Sequence, residues 1–323
     1  MKKSSKFKRL LNSGEIVIAP GVYDAISAKI AEKAGFKVAY LTGFGTSISC
    51  IGQPDVGLMT MAEVVHHAGA IANAIDIPLF ADADNGYGNA INVIRTVREF
   101  ERQGVAGIHI EDQESPKRCG HMKGKLLVAE EEMVGKLKAA IDARENDDFV
   151  IIARTDAMGA VGGSFKQAIK RALLYAETGV DGLFAEFCEP NLKKIEEFSK
   201  VIRSHYPDIP LVFNYTTAFK WHKSPVSFAD LGEMGYKLII LPLQLARVAT
   251  MSMWDFIENL KSYGEKAIYE LEKRIEGHIT QDYHDFWGFP KIRELEEKYL
   301  PKGHFEMKYR HSLGFVKIQN NST

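Results

Sequence analysis

The sequence predicts an α/β fold, a (β/α)8 barrel followed by a C-terminal helical extension. Three observations predict it. Short apolar or β-branched segments alternate with segments of helical periodicity, most of the short segments follow a glycine or an acidic turn, and they are apolar throughout rather than alternating with polar residues. Continuous apolar segments indicate strands buried on both faces, as in a parallel sheet covered by helices. The length of 323 residues fits one barrel of about 250 residues with an appendage.

Eight strands are predicted in order, at 16–19, 38–41, 78–80, 107–110, 150–152, 182–184, 211–213 and 238–241. Four of them follow a glycine that suits a left-handed helix C-cap, namely Gly35, Gly104, Gly179 and Gly235. Amphipathic helices are expected between the strands, at 61–74, 90–103, 130–144, 164–178 and 191–204. The alternation of these elements predicts a barrel of the TIM type.

The eighth unit ends near Leu260, which predicts a catalytic barrel over 1–260 and a helical extension over 261–323. Helices are expected at 265–275 and 291–299. The sequence after Pro301 shows no clear period.

Composition excludes several classes of protein. A net charge of −1 gives no support for nucleic-acid binding, which normally requires a basic surface. No segment approaches the roughly 18 apolar residues of a membrane span, and the basic N-terminus lacks the apolar core of a secretory signal. Three cysteines are too few for a disulfide scaffold, which favours a reducing compartment. We therefore expect a cytoplasmic protein without a membrane or nucleic-acid partner.

Polar residues gather at the predicted strand ends, where barrel enzymes carry their chemistry. Asp82, Asp84 and Glu111 form the first group. Asp82 and Asp84 alternate along one chain, so their side chains are expected to point the same way. Clustered carboxylates repel one another unless a cation neutralises them, and hard oxygen ligands suit Mg²⁺. The alternative is that each carboxylate caps a helix N-terminus.

The second group is the loop Lys-Arg-Cys-Gly-His at 117–121. Cys119 lies between two cations and a histidine, which favours a reactive, partly ionisable thiol. Lys123, Lys125 and nearby glycines suggest a mobile lid that brings positive charge over an anionic substrate. The alternative is a solvated basic loop. Cys50 and Cys188 lack such surroundings and are expected to be inert.

Four motifs together carry a resemblance to a known family. They are Lys-Arg-Cys-Gly-His at 117–121, Phe-Ala-Asp-Ala-Asp-Asn-Gly-Tyr-Gly at 80–88, His-Ile-Glu-Asp-Gln at 109–113 and Ala-Arg-Thr-Asp-Ala at 153–157. From about residue 8 to 260 the chain resembles the isocitrate lyase/phosphoenolpyruvate mutase superfamily. The cysteine of the 117–121 loop is similar to that of the isocitrate lyase and 2-methylisocitrate lyase branch.

The resemblance implies a Mg²⁺-dependent lyase, with Mn²⁺ as a possible substitute, that cleaves the C2–C3 bond of a 2-hydroxy acid to succinate plus glyoxylate or pyruvate. It implies metal binding by Asp82, Asp84 and Glu111, and catalytic roles for Tyr40, Cys119, His121 and Arg154. Tyr40 would help to deprotonate the substrate hydroxyl, and Cys119 would protonate the carbanion. The substrate-binding residues would be Thr42, Gly43, Phe44, Asp55, Gly120, His121, Arg154, Glu186, Asn214 and Thr216. A homotetramer with exchanged C-terminal helices is also implied.

Departures from the family pattern leave the substrate open. Phe44 is bulky where 2-methylisocitrate lyases have glycine, and Ala218 replaces a serine of the isocitrate lyase loop, whereas Ile240 and Pro242 resemble the methylisocitrate pattern. Two alternatives remain: a 2,3-dimethylmalate-type lyase or oxaloacetate hydrolase of the same superfamily, and a catalytically lapsed barrel that binds 2-oxo acids.

Overall fold

The structure, a computed structural model, describes residues 1–301 and 303–310. It divides into a compact unit over Met1–Thr250 and a second unit that begins at Met251. The division at residue 260 stays a prediction.

The first unit contains a closed barrel of eight parallel strands in sequential order, in which β8 pairs with β1. This confirms the predicted (β/α)8 fold. The strands are β1 Val17–Val22, β2 Ala39–Leu41, β3 Leu79–Asp82, β4 Gly107–Glu111, β5 Val150–Thr155, β6 Gly182–Ala185, β7 Leu211–Asn214 and β8 Tyr236–Leu241. Nearly every strand residue is buried, because the strands pack on the barrel interior and on the helices.

Helices surround the strands and include the five that were predicted, with bounds that differ by at most two residues. They are α1 Lys3–Leu11, α2 Ala25–Lys33, α3 Gly43–Ile51, α4 Met61–Ala74, α5 Ala90–Arg102, α6 Glu130–Ala143, α7 Phe165–Ala176, α8 Leu192–His205 and α9 Phe228–Glu233; α10 Gln244–Tyr263 begins in the first unit and continues into the second. The four predicted cap glycines all have left-handed backbones, with φ between +81° and +102°. Each ends a helix and turns the chain toward the next strand.

The second unit contains α11 Lys266–Ile275, α12 Tyr283–Phe286, α13 Phe289–Tyr299 and α14 His304–Arg310. The helices predicted at 265–275 and 291–299 are therefore present. The sequence after Pro301, which shows no clear period, nevertheless forms α14; the remainder from residue 311 lies outside the described residues. Among the described helices, none has both the length and the apolar composition needed to cross a membrane.

The N-terminal helix α1 closes one end of the barrel. Phe7 is fully buried and its ring lies 5.3 Å from that of Phe80 inside the barrel. Lys8 Nζ donates to the carbonyl of Asp147, which precedes β5, so α1 covers the amino ends of the strands. The polar strand ends therefore gather at the opposite end.

Candidate active site

The carboxyl ends of the strands enclose a polar cavity. It is lined by Tyr40, Thr42, Phe44, Asp55, Asp82, Glu111, Lys117, Cys119, Gly120, His121, Arg154, Glu186, Asn214, Pro242 and Leu243. These include all the predicted site residues except Gly43, Asp84 and Thr216. Gly43 and Asp84 line an adjoining cavity that shares Asp55 and Asp82 with the first.

Asp82 and Asp84 face the same region, although not because of strand alternation. Asp82 is the last residue of β3, and Asp84 lies beyond it with a left-handed φ of +47°. The Asp84 N–H donates to Asp82 Oδ1 at 2.9 Å, which fixes the turn. A side chain at Gly43 would place its Cβ 2.6 Å from Asp82 Oδ2, so the start of α3 needs glycine to approach the carboxylate.

Lys117 joins the two acidic sides of the cavity. Its Nζ lies 2.5 Å from Asp55 Oδ1 and 2.6 Å from Asp84 Oδ1, and the residue is only 4% exposed. Burial raises the pKa of Asp84 to about 6, against the opposing effect of Lys117. Burial acts to lower the pKa of Lys117, but the surrounding carboxylates outweigh it and hold that pKa well above its usual value. The ammonium group is therefore charged.

The carboxylates fit a hydrated divalent cation better than a closed metal cage. Within the described residues, no three potential ligands are grouped closely enough to hold a metal ion alone. Glu111 is nevertheless buried with no hydrogen-bond partner on Oε1 in the described part of the chain, and burial raises its pKa well above the usual value. Mg²⁺ commonly keeps several waters and binds one or two carboxylates plus substrate oxygens. Asp82, Asp84 and Glu111 supply that donor chemistry.

Arg154 is held in a fixed orientation by carboxylates. Its Nε and Nη2 donate to the two oxygens of Asp156 at 2.9 and 3.2 Å. Glu186 and Glu111 lie 3.3 and 3.4 Å away. Burial acts to raise the pKa of Asp156, but Arg154 and Lys125 outweigh it and lower that pKa. The result is a charged, pre-oriented guanidinium at the cavity wall, which suits a substrate carboxylate.

Residues 114–127, here called the cysteine loop, are docked on the cavity. The Gln113 side chain pairs with the main chain of Arg118 through two hydrogen bonds of 2.9 Å, and the Cys119 N–H donates to the Asp55 carbonyl at 3.0 Å. Arg118 is exposed, but Lys117 and Lys125 are buried. The alternative of a wholly solvated basic loop is therefore wrong.

At Gly120 the main chain of the loop packs directly against the site. Its carbonyl accepts a hydrogen bond from Lys125 Nζ at 2.6 Å, and Lys125 also contacts Asp156 Oδ1 at 2.8 Å. A Cβ on Gly120 would lie 2.2 Å from Arg154 Nη2. With the loop in this position the cavity volume is about 30 Å³.

Burial keeps the Cys119 thiol protonated, whereas its charged neighbours favour a partly ionisable one. The residue is 9% exposed, and burial raises its pKa to about 11, more than Lys117 lowers it. Its Sγ lies 3.7 Å from His121 Nδ1. Burial also lowers the pKa of His121 to about 4, so this imidazole is neutral at pH 7.

Tyr40 and His109 form a pair on the inner wall. The Tyr40 hydroxyl lies 3.0 Å from His109 Nε2, and both residues are buried. Burial lowers the pKa of His109 to about 4 and raises that of Tyr40 well above its usual value, so both are neutral. The sequence offered a signal for His109, which alternates with Glu111 along β4 and therefore shares its inward face. Lys117 and Asp156 lie in the motifs and Lys125 was expected in the lid, but none of the three was predicted as a site residue.

The far side of the cavity is formed by β6 and β7. Asn214 Nδ2 donates to the two Glu186 oxygens at 3.0 and 3.2 Å. Thr216 is fully buried behind this pair, and its Oγ1 accepts a hydrogen bond from the Ala218 N–H. Ala218 itself is exposed. Thr216 therefore supports the loop after β7 without lining the described cavity.

A closed (β/α)8 barrel with carboxylates, an arginine and a buried thiol at its strand ends defines a barrel enzyme. The family model described as phosphoenolpyruvate phosphomutase matches residues 7–261. The chain therefore belongs to the isocitrate lyase/phosphoenolpyruvate mutase superfamily, as the motifs indicated. It is an enzyme of the lyase kind that the names of its relatives describe.

Three named relatives cover most of the chain. An isocitrate lyase of Haloferax volcanii is 35% identical over 319 residues, covering 98% of this chain and 92% of the relative. A 2,3-dimethylmalate lyase of Eubacterium barkeri is 43% identical over 303 residues, covering 93% and 99%. A 2-methylisocitrate lyase of Aeropyrum pernix is 39% identical over 282 residues, covering 86% and 87%.

Solved structures agree with this placement. A 2,3-dimethylmalate lyase, described as a member of the PEP mutase/isocitrate lyase superfamily, superposes with a TM-score of 0.82 at 30% identity, covering 98% of this chain and 99% of that one. A phosphonopyruvate hydrolase in complex with oxalate and Mg²⁺ superposes with a TM-score of 0.81 at 29% identity, covering 93% and 100%.

Proposed function

We propose that the protein is a Mg²⁺-dependent carbon–carbon lyase that cleaves a 2-hydroxy di- or tricarboxylate, of the isocitrate or 2-methylisocitrate type, to succinate and a small 2-oxo acid. The observation that carries the proposal is the buried, protonated thiol of Cys119. It faces the cavity that also holds Arg154 and the acidic residues of β3 and β4. A 2,3-dimethylmalate-type substrate is the second candidate, supported by the 43% identity to such a lyase.

Arg154 is assigned to a substrate carboxylate. Asp156 holds its guanidinium in plane through two hydrogen bonds, so little side-chain entropy is lost when a ligand binds. Thr42, Gly43 and Phe44 at the start of α3 would hold the 2-oxo acid half, close to Asp55. Gly120, His121, Glu186 and Asn214 are assigned to the succinate half, and Thr216 supports the loop beside them.

The reaction needs an acid more than it needs a nucleophile. The substrate hydroxyl loses its proton, its oxygen forms the carbonyl, and the C2–C3 bond breaks with its electron pair left on the carbon of the succinate half. Cys119 donates its proton to that carbon, and the thiolate then takes up the proton released from the hydroxyl through solvent. A thiol that is protonated at neutral pH suits this step. Tyr40 would contact the substrate hydroxyl.

The carboxylates of Asp82, Asp84 and Glu111 are assigned to the metal, directly or through water. A bound divalent ion would stabilise negative charge on the substrate oxygen. Mg²⁺ fits the hard oxygen donors, and Mn²⁺ is a possible substitute. The solved complex of the phosphonopyruvate hydrolase relative with oxalate and Mg²⁺ supports the choice.

We also propose a cytoplasmic homotetramer in which C-terminal helices are exchanged between subunits. Three free cysteines are consistent with a reducing compartment. Large apolar side chains on α10 are more than half exposed, namely Met251, Met253, Trp254 and Ile257, which is typical of a surface that a partner covers. Light scattering that gives the mass of a monomer would contradict the tetramer.

The substrate is tested by incubating the protein separately with isocitrate, 2-methylisocitrate, 2,3-dimethylmalate and oxaloacetate, with Mg²⁺ or with a chelator. Phenylhydrazine traps the 2-oxo acid released from the three 2-hydroxy acids, and formation of oxalate is measured for oxaloacetate, which is itself a 2-oxo acid. Release of glyoxylate or pyruvate only with Mg²⁺ supports the proposal and names the substrate. Folded protein that cleaves none of the four compounds would overturn it and favour a binding barrel without activity.

A further inference from the structure

A buried carboxylate lies directly behind the site without lining it. Asp112, which directly follows β4, is fully buried. Its Oδ2 accepts hydrogen bonds from the hydroxyls of Thr155 and Tyr175, both at 2.8 Å, and from Arg171 at 3.2 Å. Its Oδ1 accepts the main-chain N–H of Asp156 at 2.9 Å. Four donors on one carboxylate make Asp112 a junction between β4, β5 and α7.

The same junction holds the end of the cysteine loop. Val128 follows the loop, and its N–H donates to the Asp112 carbonyl at 3.0 Å. Arg171 Nη2 donates to the Val128 carbonyl at 2.9 Å, while Arg171 Nη1 contacts Asp112 and Tyr175. One guanidinium on α7 thus ties the loop end to the carboxylate behind it.

On its other side the junction leads into the site. The main chain of Asp156 is fixed by Asp112, and the Asp156 side chain holds both Arg154 and Lys125. Lys125 in turn holds the Gly120 carbonyl of the docked loop. The path from α7 to the loop and to Arg154 is therefore a continuous series of hydrogen bonds between buried groups.

We propose that Arg171 and Tyr175, acting through Asp112, are positioning residues that couple docking of the cysteine loop to the orientation of Arg154. They lie four residues apart on α7 and therefore share one helix face. When their hydrogen bonds are intact, the loop end and the Asp156 main chain are held together. The part that concerns substrate binding rests on the proposed function; the coupling to the loop does not.

The test compares two tyrosines that are both fully buried. Tyr175→Phe removes the hydroxyl bonded to Asp112, and Tyr236→Phe removes a hydroxyl that donates to the Ile195 carbonyl at 2.9 Å, at the amino end of β8. Tyr175→Phe removes the hydrogen bond donated to Asp112 and the one accepted from Arg171, whereas Tyr236→Phe removes one, so a purely structural role predicts losses of stability that differ by about one buried hydrogen bond and no selective effect on the loop. Arg171→Lys is the second variant, because it keeps the charge and loses the planar fork.

Two readouts separate positioning from stability. The first is the rate at which trypsin cleaves the native protein after Arg118 and Lys123, two exposed residues of the loop. The fragments are identified by mass. The second is KM and kcat for whichever of the four test compounds, from isocitrate to oxaloacetate, proves to be the substrate. We expect Tyr175→Phe and Arg171→Lys to raise both loop cleavage and KM by about fivefold, the factor that corresponds to one buried hydrogen bond. Tyr236→Phe should change neither.

Loop cleavage in Tyr175→Phe that equals cleavage in Tyr236→Phe would overturn the coupling. If Tyr175→Phe does not fold, loop cleavage in Arg171→Lys is compared with that in Tyr236→Phe instead, and equal cleavage would overturn the coupling. A wild-type protein without turnover on any substrate would count against the proposed function alone, because loop cleavage still decides the coupling. Increased cleavage with an unchanged KM would overturn the part that concerns Arg154.

Discussion

Lys117 Nζ lies 2.6 Å from Asp84 Oδ1, so an ammonium group of the cysteine loop neutralises a carboxylate that is assigned to Mg²⁺. The same nitrogen contacts Asp55 at 2.5 Å. Loop docking and cation binding therefore act on the same buried negative charge, and each is expected to change the free energy of the other.

Lys117→Met should lower stability in the absence of Mg²⁺. It leaves Asp55 and Asp84 buried without their shared cation, and breaking a buried pair from one side typically costs about 3–5 kcal/mol. Saturating Mg²⁺ should raise the Tm of the variant more than that of the wild type, because the ion then supplies the missing charge. Lys170→Met is the matched control, since it removes an exposed pair with Glu130. Equal Mg²⁺-induced shifts in Tm for Lys117→Met and the wild type would contradict the shared-charge interpretation.

Gly120→Ala should prevent the loop from docking while the barrel stays folded. The added Cβ would lie 2.2 Å from Arg154 Nη2, closer than any real contact, so the loop or the Arg154 guanidinium must move. We expect kcat/KM to fall by about 100-fold or more, the size of effect expected from misplacing catalytic groups by about 1 Å. Gly135→Ala on α6 is the control, because its Cβ meets no atom within 4 Å. A Gly120→Ala enzyme with wild-type kcat/KM would show that the docked position is not the active one.

The neutral imidazole of His121 should make the protein less stable in acid. Its pKa is lowered to about 4 in the folded state, against about 6.5 in the unfolded chain. Between these values the unfolded state binds the extra proton, so the stability falls as the pH decreases through this window. His121→Gln should lessen the decline in unfolding free energy between pH 6.5 and 4, by about 1–3 kcal/mol. An identical pH profile in wild type and variant would contradict a neutral, half-buried His121; exposed His205→Gln is the control.

Phe44→Ala should change the substrate preference. Phe44 lines the cavity near the assigned position of the 2-oxo acid, and its ring would crowd a methyl group there. We expect the ratio of kcat/KM for 2-methylisocitrate to that for isocitrate to rise by about 10-fold or more. This lies in the range of discrimination between substrates that one methylene group commonly provides. Phe36→Ala, at an exposed position, controls for general loss of stability. An unchanged ratio would assign the specificity to another residue.

The sequence was most informative where the relevant signal is local or follows from topology. Gly104 ends α5 and returns the chain into β4 because its own φ is left-handed, and such a residue can be recognised without any tertiary contact. The grouping of Asp82, Glu111 and Arg154 follows from the rule that parallel strands bring their carboxyl ends to one face.

The ionisation of Cys119 could not be predicted in this way. The adjacent cations suggested a lowered pKa, whereas removal from water dominates and raises it. Burial depends on how the whole loop is seated, which involves residues distant in sequence, such as Asp55 against Lys117. The Asp112 junction is equally non-local, since its partners come from β5 and α7.

The most direct measurement compares the rates at which wild-type protein and Cys119→Ser release 2-oxo acid. Both are given saturating Mg²⁺ and the substrate identified among the four test compounds. Serine keeps the size of the side chain but is a far weaker acid, so we predict a loss in kcat of about 100- to 10,000-fold, the range that one general acid contributes. Cys188→Ser should stay near wild type. A Cys119→Ser enzyme that releases 2-oxo acid at the wild-type rate would contradict the assignment of Cys119 as the proton donor.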